Sequence, residues 1–186
     1  MGEAQPVQTM TAAEYLEWEP AQMEKYQFIH GEVFAMGGAS RRHVTVSGNL
    51  FAELDRSLEG SPCRVYMADM KLEIKKEEIY FYPDVLVTCD PADHKAEHFM
   101  SSPVVVAEVL SESTAAFDRG DKAAYYRKLP SLQEFLLIDP ERKSIELYRR
   151  TQQDTWELLD IPPEHPLPLH SLELEIPWQR IFRNVD

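Results

Sequence analysis

The 186-residue chain is poor in cysteine, glycine and positive charge, and each shortage removes a class of protein. Its two cysteines, Cys63 and Cys89, form no CxxC unit and are too few for a disulfide framework. They are expected as buried thiols in a reducing compartment. Seven glycines exclude a collagen-like or glycine-repeat protein. No stretch approaches the roughly 18 unbroken apolar residues of a membrane-spanning helix. The opening residues lack the basic and apolar regions of a signal peptide; Gly2 suits N-myristoylation, but Pro6 stands where Ser or Thr is required. A cytoplasmic protein with no membrane partner is expected. Lys and Arg number 19 against 32 Asp and Glu, a net charge of −13, which argues against a broad nucleic-acid surface because phosphate contacts need bases. The deficit is uneven. Residues 112–150 hold eight bases and seven acids, so any approach to a polyanion should involve that segment.

What is present is ordinary globular material. Hydrophobic residues make up 44% and charged residues 27%, enough for one domain over 1–186 with a real core. Thr11 followed by Glu14 reads as a capping box opening a short helix to Trp18. Tyr26 to Met36 reads as two strands around a turn at His30-Gly31. His43 to Leu58 carries an apolar stripe at helical spacing. Arg64 to Ile74 and Ile79 to Thr88 look like one hairpin around Lys75-Lys76-Glu77-Glu78. Val104 to Leu110 and Glu134 to Ile138 are nearly all apolar, as strands covered on both faces are. A helix from Phe117 to Leu129 stops at Pro130. Ser144 to Arg149 alternates like an edge strand, and Trp156 to Leu159 is a further short strand. A Pro-rich extension over about 161–186 follows a core of about 15–160. This order predicts an α/β fold with a mixed sheet.

Three positions carry chemistry. Glu108 interrupts the apolar run Val104–Leu110, where an isolated ionised carboxylate needs a cation, a metal or strong donors. Asp84 follows Pro83 at the threshold of another apolar strand, Val85-Leu86-Val87. Two carboxylates on neighbouring strands would make a hard-oxygen site suited to Mg²⁺ or Mn²⁺. Asp118, Lys122, Tyr125 and Tyr126 recur at spacings of three and four, so they share a helix face. Either Lys122 pairs with Asp118 in solvent, or it leans over the carboxylates.

Other patterns are weaker. Cys89, His94 and His98 could be imagined as zinc ligands, but Asp90-Pro91 breaks the local geometry and no fourth ligand is evident. Tyr80, Phe81 and Tyr82 could stack on bases, though packing against a helix explains them more simply. Ser111, Ser113 and His43 form no hydrolase motif.

Together, Pro83-Asp84, Ala107-Glu108-Val109-Leu110-Ser111-Glu112-Ser113-Thr114, Asp118-Arg119 with Lys122 and Tyr126, and Glu134 to Pro140 resemble the Uma2 family, a large bacterial group with the PD-(D/E)XK restriction-endonuclease fold. Tyr26 to Glu32 is similar to that family's YELIDGE-like segment, and His43 falls where the family often has His. The resemblance implies a restriction-endonuclease-like mixed β-sheet flanked by helices, and a metal-dependent endonuclease hydrolysing DNA. Asp84 and Glu108 would hold the divalent ion, Lys122 would stabilise charge, and Glu32 would be an additional acid. The lysine that the superfamily usually places two residues after the second acid is replaced by Leu110, so the resemblance moves it to Lys122. Gln27, His30, Glu112 and Leu129-Pro130 also depart from the family pattern. Enzymes that cut both strands often pair two sites, so a homodimer using the Ser144–Arg149 edge is expected. Two other readings fit the residues: an inactive nuclease-fold binding or regulatory protein, and a metal hydrolase of small phosphorylated molecules.

Overall fold

The computed structural model describes residues 5–186; the myristoylation reading at Gly2 lies outside them. After a two-residue strand β1 (Gln8–Thr9), helix α1 (Ala12–Trp18) opens with the anticipated capping box between Thr11 and Glu14. Strands β2 (Tyr26–Ile29) and β3 (Glu32–Ala35) meet at a tight turn in which His30 and Gly31 both take positive φ, +49° and +89°. Helix α2 (Arg41–Ser57) follows, capped by Ser40.

The next region is where the fold differs from the hairpin expected. Each of its two strands is broken, giving β4 (Arg64–Met67), β5 (Lys71–Ile74), β6 (Ile79–Phe81) and β7 (Val85–Thr88). Asp69 at φ +88° turns the chain after β4, and Pro83, which has no N–H to give a ladder, lies between β6 and β7. The inner halves pair as β5–β6 and the outer halves as β4–β7, but in different sheets. The first sheet runs β1-β3-β2-β6-β5 and ends on β8 (Phe99–Met100).

The second sheet is completed by β9 (Pro103–Val109), β10 (Glu134–Asp139), β11 (Ser144–Arg150) and β12 (Trp156–Ile161), in the order β12-β11-β10-β9-β7-β4. Strands β9 and β10 run parallel, the others antiparallel, so the sheet is mixed. Strand β11 is not an edge: β12 covers it, and β12 is itself the edge strand. The partner surface expected at Ser144–Arg149 is therefore already used within the chain.

Both faces of this sheet are covered, which explains its apolar strands. On one side Val46, Leu50 and Leu54 of α2 pack on Val85, Val87, Val105 and Val109. The hairpin β13 (Leu167–Leu169)–β14 (Leu174–Ile176) and the short helix α5 (Trp178–Ile181) join the same core through Leu167, Leu169, Ile176, Ile181 and Phe182. On the other side Leu86, Val106 and Leu137 meet Ala123 and Tyr126. Those two come from a helical stretch made of α3 (Ala115–Phe117), a π-helical segment (Asp118–Lys122) and α4 (Ala123–Tyr126). Among the described residues, no helix is long and apolar enough to cross a membrane.

Cys63 and Cys89 are not free thiols. They form a disulfide, because β4 and β7 pair with Arg64 opposite Thr88, which brings the next residue of each strand face to face. The two lie 26 residues apart, and only the sheet makes them neighbours.

Candidate active site

The site lies where the two sheets hand over to each other. Val85 pairs with Ala107 at the start of β7, so the next position outward sets Asp84 across from Glu108. The Asp84 carboxylate is held at both oxygens: Oδ2 accepts from the Val109 N–H at 2.7 Å, and Oδ1 lies 2.7 Å from His43 Nε2. His43 reaches it from the first turn of α2. Its other ring nitrogen, Nδ1, is buried and has no hydrogen-bond partner among the described residues.

Glu108 is buried at 4% exposure, on the face of β9 that looks toward the helical stretch. Its Oε1 accepts from the Tyr126 hydroxyl at 2.6 Å and lies 2.8 Å from Lys122 Nζ, while Oε2 accepts from no donor among the described residues. Lys122 also lies 3.5 Å from Asp118. Asp118 and Lys122 are 3% and 6% exposed, so this is a buried pair rather than the solvated one that spacing alone allows. In an α-helix a step of four residues overshoots a turn by about 40°. The looser π winding across Asp118–Lys122 offsets that drift and keeps Asp118, Lys122 and Tyr126 on the line facing β9. Such π turns recur at functional sites.

Electrostatics follow from this crowding. Burial pushes the Glu108 carboxyl up to about 8; Lys122 opposes the shift, and Asp84 and Asp118 add to it. Burial alone would lower the Lys122 amine, but Glu108 and Asp118 outweigh it and hold it above its ordinary value. His43 shows the same balance: burial lowers it, and the hydrogen bond and charge of Asp84 prevail, so it too is raised. Burial, then Glu108, lifts the Tyr126 phenol well above its usual range, so it stays a donor.

The donor set suits a divalent cation. Asp84, Glu108 and Asp118 share one fixed ammonium, Lys122, and Glu108 Oε2 accepts from no donor among the described residues. Among the described residues no group of three acids, histidines or cysteines is placed to hold a metal ion, so the candidate ligands are the two carboxylates Asp84 and Glu108. Two carboxylates match an ion that keeps several of its own waters, as Mg²⁺ does.

A family model described as "Putative restriction endonuclease", Uma2, matches residues 12–180. The chain belongs to the Uma2 family. Two relatives from Synechocystis, "Uncharacterized protein slr1290" and "Uncharacterized protein sll1609", are each 37% identical to it. The first match covers 97% of this chain and 95% of the relative, the second 92% and 95%. The crystal structure of a "putative nuclease belonging to DUF820" from Anabaena variabilis superposes with a TM-score of 0.77 over 95% of this chain and 99% of that one. At 18% identity that likeness shows a shared fold, the restriction-endonuclease-like mixed sheet flanked by helices.

Two of the positions considered in the sequence stand apart from this cluster. Leu110, at the place of the missing lysine, is buried in the apolar cluster with Leu137 and Ala123. Glu32 does not join the centre: it is exposed at the start of β3 and, among the described residues, makes no ion pair or hydrogen bond with Asp84, Glu108 or Lys122. It borders a surface depression of about 400 Å³ with Thr9, Thr11, Glu14 and His30. His30 instead contacts the site helix, its Nε2 lying 3.1 Å from the Tyr125 hydroxyl. Tyr80, Phe81 and Tyr82 are buried, with Tyr82 donating to buried Glu19 at 2.6 Å, so they pack rather than present rings to a ligand. Cys89 is tied to Cys63 and offers no thiolate to a metal. Three site residues are not among those predicted: Asp118, whose burial no spacing reveals; Tyr126, whose spacing places it on the Lys122 face without showing its bond to Glu108; and His43, whose only signal is its place in the family pattern.

Proposed function

We propose that this Uma2 protein is a metal-dependent endonuclease that hydrolyses DNA phosphodiester bonds. The observation that carries the reading is buried Glu108, set across from Asp84 and sharing Oε1 with Lys122 and Tyr126. Asp84 and Glu108 would hold Mg²⁺ or Mn²⁺. When bound, the ion supplies Lewis-acid polarisation of the phosphate and a lowered pKa for an attacking water. The protein's own part is positioning and charge. His43 and the Val109 N–H fix both oxygens of Asp84. Tyr126 fixes Glu108. Lys122 keeps its proton on Nζ in a dry setting, where a fixed cation acts more strongly on developing phosphate charge than it would in water.

Incubation of supercoiled plasmid with and without Mg²⁺ tests the reading. Nicking is expected with the metal, lost in Asp84→Asn and Glu108→Gln; equal nicking by wild type and both variants would sink it. The net charge of −13 favours a second reading, a non-cleaving binding protein on the same fold. Metal-independent DNA binding with no cleavage would favour that reading.

A further inference from the structure

The rim beside the carboxylate centre gathers four bases of an acidic chain. Arg41 and Arg42 open α2 directly before His43, the residue in contact with Asp84. That first turn contains no acid, so the positive end of the helix adds to two guanidinium charges. Arg42 pairs with Glu141, which ties α2 to the turn between β10 and β11, and the same turn carries Arg142 and Lys143. Its base is set by β10, whose Leu137 pairs with Glu108 and whose Ile138 carbonyl accepts from Leu110 N–H. Four bases from two segments thus stand next to the site in a chain of net −13. Glu141 compensates Arg42, and Asp139 lies 3.8 Å from Arg142.

The two arginines are placed to converge on one oxygen. Arg41 Nη2 and Arg42 Nε donate to the same backbone oxygen, that of Asp186, at 2.6 and 3.0 Å. An oxygen gripped by two guanidinium groups is the arrangement a phosphate oxygen takes between arginines. We infer that Arg41, Arg42, Arg142 and Lys143 form the docking rim for the phosphate backbone of a nucleic acid, holding phosphates that flank the one at the carboxylate centre, with the Asp186 backbone oxygen filling the Arg41–Arg42 position until the nucleic acid displaces it. This rests on the nuclease reading and adds to it the surface by which an acidic protein grips a polyanion.

Titration of a short labelled duplex without divalent metal, over a series of salt concentrations, tests the rim. Arg41→Gln/Arg42→Gln should weaken binding by about tenfold and flatten the dependence of log K on log salt by about two, one for each phosphate that is no longer neutralised. Two unrelated duplex sequences should suffer equally, because phosphate contacts carry no sequence information. Arg142→Gln/Lys143→Asn tests the same surface on an exposed turn, with Asn chosen for the left-handed backbone at residue 143 (φ +52°). If wild type binds and both variants keep its affinity and salt slope, the rim proposal is overturned and the nuclease reading stands. If wild type hydrolyses a small phosphodiester but binds no duplex, the rim proposal and the DNA assignment fall while hydrolysis survives. If it neither binds nor hydrolyses, both proposals fall.

Discussion

Lys122 reaches Glu108 from the neighbouring helix, its Nζ 2.8 Å from Oε1, with both side chains buried. The cation that the strand lacks at Leu110 is therefore supplied from outside the strand, and the π turn aims it. A buried ion pair is costly to assemble and costlier to break, because removal of one partner strands the other charge in a dry setting. Here Asp118 would lose its cation, and so would Glu108 wherever its carboxyl is ionised.

That arrangement sets the expected behaviour of Lys122→Ala. It should destabilise the metal-free protein by about 3–5 kcal/mol, the usual cost of halving a buried pair, and lower nicking by roughly two to three orders of magnitude. Mn²⁺ should recover part of the lost melting temperature by compensating the carboxylates, without recovering the rate. Thermal melts with and without Mn²⁺ check the first claim, and single-turnover nicking checks the second. A variant as stable and as active as wild type would reduce Lys122 to a packing role.

The pH dependence follows from Glu108. Its carboxyl titrates near 8 in the fold, against an ordinary value of 4.5. Between these values the folded state holds the extra proton, so this group's stabilisation is fully present at the acidic end and is lost as pH rises toward 8. His43, also raised, adds loss of the same sign. Urea unfolding of the metal-free protein should therefore show stability falling from pH 5 to 8, and Glu108→Gln should flatten the slope. Metal binding needs the ionised carboxylate, so Mn²⁺ affinity should rise over the same range, with proton release detectable by calorimetry in buffers of different ionisation enthalpy.

The parts of this site that can be read from sequence are those where a charge breaks a local rule. Glu108 sits in an apolar strand, and Asp84 sits at the mouth of another, so both stand out without a fold. Lys122 stands out only by its spacing and by the absence of a lysine at Leu110. Asp118 does not stand out, because an acid four residues before a lysine looks the same on a wet helix face as in a core. The split of the expected hairpin into two sheets is similarly hidden: Pro83 marks a break, but not that β4 and β7 leave with a different sheet. The covering of β11 by β12 and the meeting of Cys63 with Cys89 are consequences of pairing between distant segments, which local periodicity does not encode. Glu32 shows the converse: a motif position carried over from a family, which lies exposed and, among the described residues, makes no hydrogen bond or ion pair with the other three.

The disulfide gives a stability prediction. It closes a loop of 26 residues that contains Asp84, and loss of such a cross-link frees the unfolded chain by about 3–4 kcal/mol in the chain-entropy account. Both cysteines are half-buried, and β4, which Cys63 leads into, pairs among the described residues only with β7. Dithiothreitol should lower the melting temperature of wild type and leave Cys63→Ser/Cys89→Ser unchanged. If reductant moves neither, the bond contributes nothing to the fold.

Tyr126 gives the closest test of how Glu108 is tuned. Its hydroxyl is the shortest contact of Glu108 Oε1, at 2.6 Å, and Tyr126 is fully buried between Phe81 and Phe135. The ring packs and the hydroxyl donates, so Tyr126→Phe separates the two contributions with almost no change in shape. Loss of this buried donor should cost about 1–3 kcal/mol. A hydrogen bond to the ionised form favours that form, so its loss should push the Glu108 carboxyl still higher. The rise in Mn²⁺ affinity with pH should then shift toward more alkaline values, while affinity at the alkaline end stays near that of wild type. A structural role alone predicts a lower melting temperature and an unshifted profile. Mn²⁺ titrations of both proteins from pH 6 to 9 decide between them: superimposable profiles would mean that Tyr126 merely fills space, and a displaced profile would mean that its hydroxyl sets the proton affinity of Glu108.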